Sequence, residues 1–262
     1  MCRLLGYLGL PIPLDRLLYK PEHSLIVQSY QPREMTAGLL NADGFGVGWY
    51  HTNQQVPPFR YRSVLPIWND VNLPPLSRYV ESGCVLASVR SATPGLAVDL
   101  SNCQPFQQDL ILAIHNGYIE NFRQTLYRPM RDRLSDALYE SIQGMTDSEH
   151  LFALLLNEWH NSPGISLEAA LHNTLVTVFD LAQLYQVSAG ANLILADGHR
   201  LVASRFSNRS PAPSLYWLRD DAFFPEAVVI ASEPLFAGNW VACPERSILS
   251  VGEDLDVQIQ QF

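Results

Sequence analysis

The chain has 262 residues, 47% of them hydrophobic and 16% charged, with a formal net charge of −9. That balance describes a folded chain with a substantial core, and the length suits one domain over residues 1–262. Phosphate contacts need clustered Lys and Arg, and no basic run occurs, so neither nucleic acid nor an anionic membrane is expected as a partner.

The first residues do not read as a secretory signal. Arg3 and Asp15 interrupt any apolar stretch, and no run approaches transmembrane length. Residues 2–10 read as a strand that ends near Pro11 and Pro13. "LDRLLYKPEHSLIVQSYQ" predicts short helical turns broken at Pro21, and "NADGFGVGWYH" a glycine-punctuated loop entering a strand. "PFRYRSVLPIW" predicts its hairpin partner, joined through "TNQQVPP". "GCVLASVRSATPG" is a buried strand closed by Thr, Pro and Gly. "DLILAIHNGYIENF" repeats that pattern, with a strand expected to break at Asn116-Gly117 and a helix near Asn121.

"TDSEHLFALLLNEWHN" carries a strong helix start. Either Thr146 or Asp147 serves as N-cap, with Glu149 three residues after Thr146 as in a capping box. "ISLEAALHNTLVTVFDLAQLY" is the longest periodic helix, and strands follow near 191–196, 200–205, 214–219, 226–232, 246–251 and 254–260. Many strands with a few helices between them predict an α+β sheet-and-helix sandwich.

Cys2, Cys84, Cys103 and Cys243 form no CxxC pair, which argues against a metal site or a disulfide framework and for a reducing cytoplasm. No cofactor is expected. The alternation of Gly44, Gly46 and Gly48 resembles a dinucleotide fingerprint only loosely, because no strand precedes it in a βαβ pattern.

Taken singly, the polar residues at strand ends have ordinary explanations: a terminal cysteine, a surface arginine, a turn dipeptide, a helix-start aspartate. Together they resemble something specific. "MCRLLGYLG", "NADGFGVGWY", "VRSATPG", "IHNGYIENF" and "TDSEHLF" occur in the order of class II glutamine amidotransferase domains, over roughly the first 160 residues. "VVIASEPL" and "ACPERSILSVGEDLDV" resemble the stand-alone branch of that family. The branch includes an ergothioneine-pathway enzyme that removes a γ-glutamyl group from a hercynylcysteine sulfoxide conjugate, and an amidase of glutathione breakdown.

The resemblance implies a four-layer αββα fold of the N-terminal-nucleophile hydrolase type and a small γ-glutamyl substrate. It implies Cys2 as nucleophile, Asn116 and Gly117 as oxyanion donors, and Arg90, Thr93 and Asp147 as substrate-binding residues. The chemistry fits those roles. A free thiol and an α-amine titrate near ~8.5 and ~8, so the amine of an exposed N-terminal cysteine is a matched local base. Removal of Met1 would expose it. A guanidinium binds both oxygens of an α-carboxylate, and a carboxylate faces the α-ammonium.

Arg3 and Tyr7 are candidate supports for the nucleophile, with packing the expected role of Tyr7, and His115 is expected to be structural. Two alternatives stay open. One is a glutaminase subunit that supplies ammonia to a synthase partner; the other is a degenerate member acting as a binding module.

Overall fold

The computed structural model describes residues 1–35, 38, 40–51, 56–93, 95 and 97–262. The chain opens with β1 (Arg3–Pro13) and two short helices, α1 (Asp15–Leu18) and α2 (Leu25–Tyr30). A hairpin of β2 (Phe45–Trp49) and β3 (Phe59–Ser63) precedes α3 (Leu73–Tyr79) and β4 (Glu81–Val89). A short β5 (Phe106–Gln108) pairs with β6 (Ile111–Ile119), and four helices follow: α4 (Tyr127–Arg131), α5 (Asp136–Ser141), α6 (Asp147–Asn161) and α7 (Leu167–Leu184). The remainder is built from β7 (Ala189–Ala196), β8 (Leu201–Arg205), β9 (Tyr216–Asp221), β10 (Phe224–Ala231), β11 (Val241–Ala242), β12 (Ser247–Val251) and β13 (Val257–Gln261).

Two antiparallel sheets result. The first runs β11-β9-β10-β1-β4-β2-β3 and the second β13-β12-β8-β7-β6-β5. Alternation along each strand decides what faces what. In β1, Leu4 and Leu8 meet Leu112 and Ile114 of β6 and Ile194 of β7 between the sheets. Leu5 and Tyr7 point the other way, onto Leu17, Leu18 and Leu25 of the α1–α2 segment. On the far side, Ala113 and Ile119 pack under Leu151, Leu155, Leu171 and Leu175 of α6 and α7. Helix, sheet, sheet, helix: the expected four-layer αββα sandwich is the fold.

Several elements differ from their sequence reading. β1 runs past Pro11 to Pro13, because after an irregularity it pairs Ile12 with Ser82 and Pro13 with Glu81 of β4. β6 does not break at Asn116-Gly117. Its register with β7 continues through Asn116↔Asn192, Gly117↔Ala191 and Ile119↔Ala189, so a long partner strand overrides the turn preference of the dipeptide. The residues after it form turns rather than a helix at Asn121, which sits at φ 50. β2 shares the sheet of β1 but lies one strand away, with β4 between them. Its glycines do allow close approach: a Cβ on Gly48 would stand 2.7 Å from Leu112 Cδ1. The "TNQQ" part of the hairpin turn lies outside the described residues.

Candidate active site

β1 and β4 are neighbours, which brings Cys2, just before β1, to the level of Arg90, just after β4. Asn116 and Gly117 approach from the opposing sheet in β6, and Asp147 heads α6 above that sheet. Cys2, Arg90, Thr93, Gly117 and Asp147 line one small pocket of about 30 Å³, together with Gln104, His115 and Ser148. Five of the six predicted site residues therefore converge. The sixth, Asn116, is fully buried next to Gly117 and shares its strand face with Leu112 and Ile114, toward the space between the sheets.

Cys2 is half-buried, whereas Cys84, Cys103 and Cys243 are buried. Burial pushes those three thiols up, Cys243 to about 12, which leaves them poor nucleophiles. All four cysteines are free, and among the described residues no group of His, Cys, Asp and Glu is arranged to hold a metal ion.

The edge of β6 carries a pattern that alternation alone would not produce. His115 N–H donates to Gln104 Oε1, and the Gln104 amide returns a 3.1 Å bond to the His115 carbonyl. Four residues on, Ile119 N–H donates to Asp147 Oδ2 at 2.9 Å. Gly117 lies between them, and its cross-strand neighbour Ala191 donates instead to Phe206 O. The register thus turns the Gly117 N–H away from β7 and toward the pocket, between two edge N–H groups that are already satisfied. Beside it, neither Nδ2 nor Oδ1 of Asn116 has a partner among the described residues. Buried amides of that kind are rare in the absence of a ligand. An unpartnered side-chain amide and a strand N–H on adjacent residues are donor types that suit an oxyanion.

Arg90 is held from behind. Its Nη1 donates to Asp43 O at 3.1 Å, its backbone N–H to Gly44 O, and Ala92 N–H caps Asp43 Oδ2 at 2.8 Å. The "NADG" segment therefore braces the strand end that carries the guanidinium. Gly44 is needed there: it adopts φ 110, and a Cβ would stand 2.6 Å from Cys103 Sγ. Asp147 is oriented by Ile119 N–H on Oδ2 and Ser148 N–H on Oδ1, at 2.9 and 2.8 Å. Thr146, not Asp147, is the N-cap, and its hydroxyl accepts from Glu149 N–H. Glu149 does not close a capping box; its carboxylate takes the N–H groups of Gln143 and Gly144.

Behind the nucleophile, Arg3 is fully buried and ion-paired to Glu233 at 3.0 Å. Glu233 also meets His23 Nε2 and the N–H groups of Arg33 and Glu34. Burial alone would raise the Glu233 carboxyl; these donors outweigh it and hold it below its ordinary 4.5. The network ties the start of β1 to the loop before β2. Tyr7 packs in the core and donates to Leu10 O.

Sequence reasoning assigned no site role to Ser148 or Gln104. Ser148 was hidden inside a helix-start signature, and Gln104 sits in a loop whose amide matters only once β6 is alongside.

Cys2, Arg90, Gly117 and Asp147 thus share one pocket where the two sheets meet. A family model described as glutamine amidotransferases class-II matches residues 1–230, and the chain belongs to that family. It is an enzyme of that class. It is 32% identical over 252 residues to a gamma-glutamyl-hercynylcysteine sulfoxide hydrolase of Mycobacterium tuberculosis, covering 96% of this chain and 93% of the relative. It is 30% identical over 293 residues to the probable glutamine amidotransferase DUG3 of Saccharomyces cerevisiae, covering 96% of this chain and 82% of that protein. Among solved structures, a glutamine aminotransferase class-II domain protein from Silicibacter pomeroyi superposes with TM-score 0.72 at 25% identity, over 100% and 99% of the two chains. The allosteric regulatory enzyme of purine biosynthesis shares the fold at TM-score 0.68 and 16% identity, with the match spanning 49% of its chain.

Proposed function

We propose that the chain is an N-terminal cysteine amidohydrolase that cleaves the γ-glutamyl amide bond of a small γ-glutamyl conjugate and releases glutamate. The observation that carries this reading is the convergence of Cys2, Arg90, Gly117 and Asp147 on one pocket, beside the unsatisfied Asn116 amide.

Removal of Met1 frees the Cys2 amine, and that amine takes the thiol proton. The thiolate attacks the γ-carbonyl, and the oxyanion settles between Asn116 Nδ2–H and the Gly117 N–H. The Cys2 ammonium then protonates the leaving nitrogen as the carbon–nitrogen bond breaks. A water, deprotonated by the same amine, cleaves the thioester and glutamate departs. Arg90 pairs with the α-carboxylate and Asp147 with the α-ammonium, while Thr93 closes the glutamyl site.

Met1 neighbours Gly38, as does Ser91 of the pocket lining. Its nitrogen lies 3.9 Å and the Ser91 hydroxyl 3.4 Å from a Cβ built on Gly38. Its departure both unmasks the base and makes room for a glutamyl group. Thr93 and Asp147 also line a broad cleft of about 470 Å³ with Tyr118, Phe122, Arg123 and Met145. That cleft accommodates a substituent far larger than the amide of glutamine. Together with the hydrolase relatives, it supports a conjugate of the γ-glutamyl hercynylcysteine sulfoxide type over glutamine itself.

The test is intact mass, to show that the protein begins at Cys2, followed by glutamate release from γ-glutamyl thioether conjugates and from glutamine. Conjugates should be the better substrates, and the rate should be indifferent to an added synthase. No release from either substrate by protein shown to begin at Cys2 would overturn the reading. Glutaminase activity that rises with a synthase would favour an ammonia-supplying subunit.

A further inference from the structure

Ser148 enters none of these steps, yet its side chain lines the same pocket as Cys2, one residue along from Asp147. Its hydroxyl oxygen lies 2.8 Å from His115 Nδ1 and 3.4 Å from Asp147 Oδ1. A hydroxyl has one proton and two lone pairs, so the neighbour that receives the proton decides what the pocket sees.

The imidazole fixes the answer. His115 is 1% exposed, and burial holds it neutral by pushing its pKa below the ordinary value. A neutral ring carries one proton. At the far side of the ring, Nε2 faces the Gly190 carbonyl oxygen at 3.4 Å. A bare nitrogen there would set lone pair against lone pair, so the proton sits on Nε2 and Nδ1 is an acceptor. The Ser148 hydroxyl therefore donates to Nδ1, the nearer of its two neighbours. It has no second proton for Asp147, whose Oδ1 takes the Ser148 backbone N–H at 2.8 Å.

The hydroxyl oxygen and Asp147 Oδ1 are then two acceptors 3.4 Å apart, side by side at the pocket with no proton between them. Such a pair is completed by a cation that brings several donors of its own. An ammonium has three.

We propose that the Ser148 hydroxyl oxygen is a second acceptor for the α-ammonium of the substrate, beside Asp147, and that His115 is the positioning residue that turns the hydroxyl proton away. This rests on the γ-glutamyl reading of the site. It makes recognition of the amino end a two-oxygen arrangement, in which a ligand lacking the amine leaves both acceptors facing each other.

The experiment compares ligands that differ only in that amine. Ser148→Ala, Ser148→Thr and His115→Leu are prepared in protein beginning at Cys2, and thermal midpoints confirm that they fold. Hydrolysis is measured with γ-L-glutamyl-p-nitroanilide and with glutaryl-p-nitroanilide. Binding of L-glutamate and of glutarate is followed by calorimetry. A hydrogen bond to a charged group implies a loss of about tenfold in kcat/KM for the γ-glutamyl substrate in Ser148→Ala, carried by KM. The glutaryl substrate should change little, Ser148→Thr should recover most of the loss, and His115→Leu should lose the same discrimination. Equal losses for both ligands, or none for either, would overturn the assignment. If the wild type hydrolyses neither substrate, the amidohydrolase reading falls. The glutamate-against-glutarate comparison then still decides the role of Ser148.

Discussion

Asn116 is the residue at which folding and chemistry pull hardest against each other. A buried amide with neither end bonded costs stability, on the order of 1–3 kcal/mol for each unmet group. If it is an oxyanion donor, Asn116→Ala loses roughly 3–4 kcal/mol of transition-state stabilisation. The loss should appear in kcat, by a factor of roughly 10² to 10³, with KM nearly unchanged. The same variant should unfold at equal or higher denaturant concentration, because it removes an unmet polar group. Rate assays and urea titrations on one preparation check both halves. A fall in stability without a fall in kcat would mark Asn116 as structural.

At the level of the element, β6 explains why the site was only partly legible. Its apolar residues and the Asn-Gly pair were readable, and so was the ending of β4 at Arg90. What sequence could not give was the continuation of β6 through that pair, because the partner strand β7 lies more than 70 residues away. The helix starts tell the same story. Thr146 and Glu149 were visible as a capping pattern, but the targets of Glu149 are backbone N–H groups of the preceding loop, which no spacing announces. α3 escaped notice because Leu73-Pro74-Pro75 reads as a turn, although prolines are well placed in a first helical turn.

The same strand carries a paired prediction. A Cβ on Gly117 would run into the Gly190 carbonyl oxygen and the His115 ring, so Gly117→Ala must push strands apart. It should cost about 1–3 kcal/mol of stability and abolish hydrolysis. Gly190→Ala, one rung away on β7, has its nearest neighbours at 3.8 Å and should be tolerated. Denaturation curves of the two variants give a direct contrast; equal behaviour would mean that the rung at Gly117 is slack.

For the whole molecule, two buried histidines, His115 on β6 and His150 in α6, set the response to acid. Burial depresses both: His150 to about 4, and His115 in the same direction. Groups whose folded pKa lies below the unfolded 6.5 contribute stability that is full above 6.5 and is lost as pH falls. Between pH 6.5 and about 4 only the unfolded chain takes the His150 proton. His150 alone then accounts for a loss on the order of 3 kcal/mol. Urea midpoints from pH 7.5 to 4.5 should fall steadily, and less steeply in His150→Asn.

The placement of the site on the seam has a mechanical consequence. The proposed nucleophile belongs to one sheet and its oxyanion donors to the other, so the reacting distance is the thickness of the sandwich at that point. Leu4, Leu86, Ile114 and Ile194 pack across the seam behind it. The layer therefore acts as a spacer whose gauge is set by side-chain volume. Adding or removing a methylene in it would detune the rate while the protein stays folded, and hydrostatic pressure, which thins such layers, would act on turnover before it acts on structure.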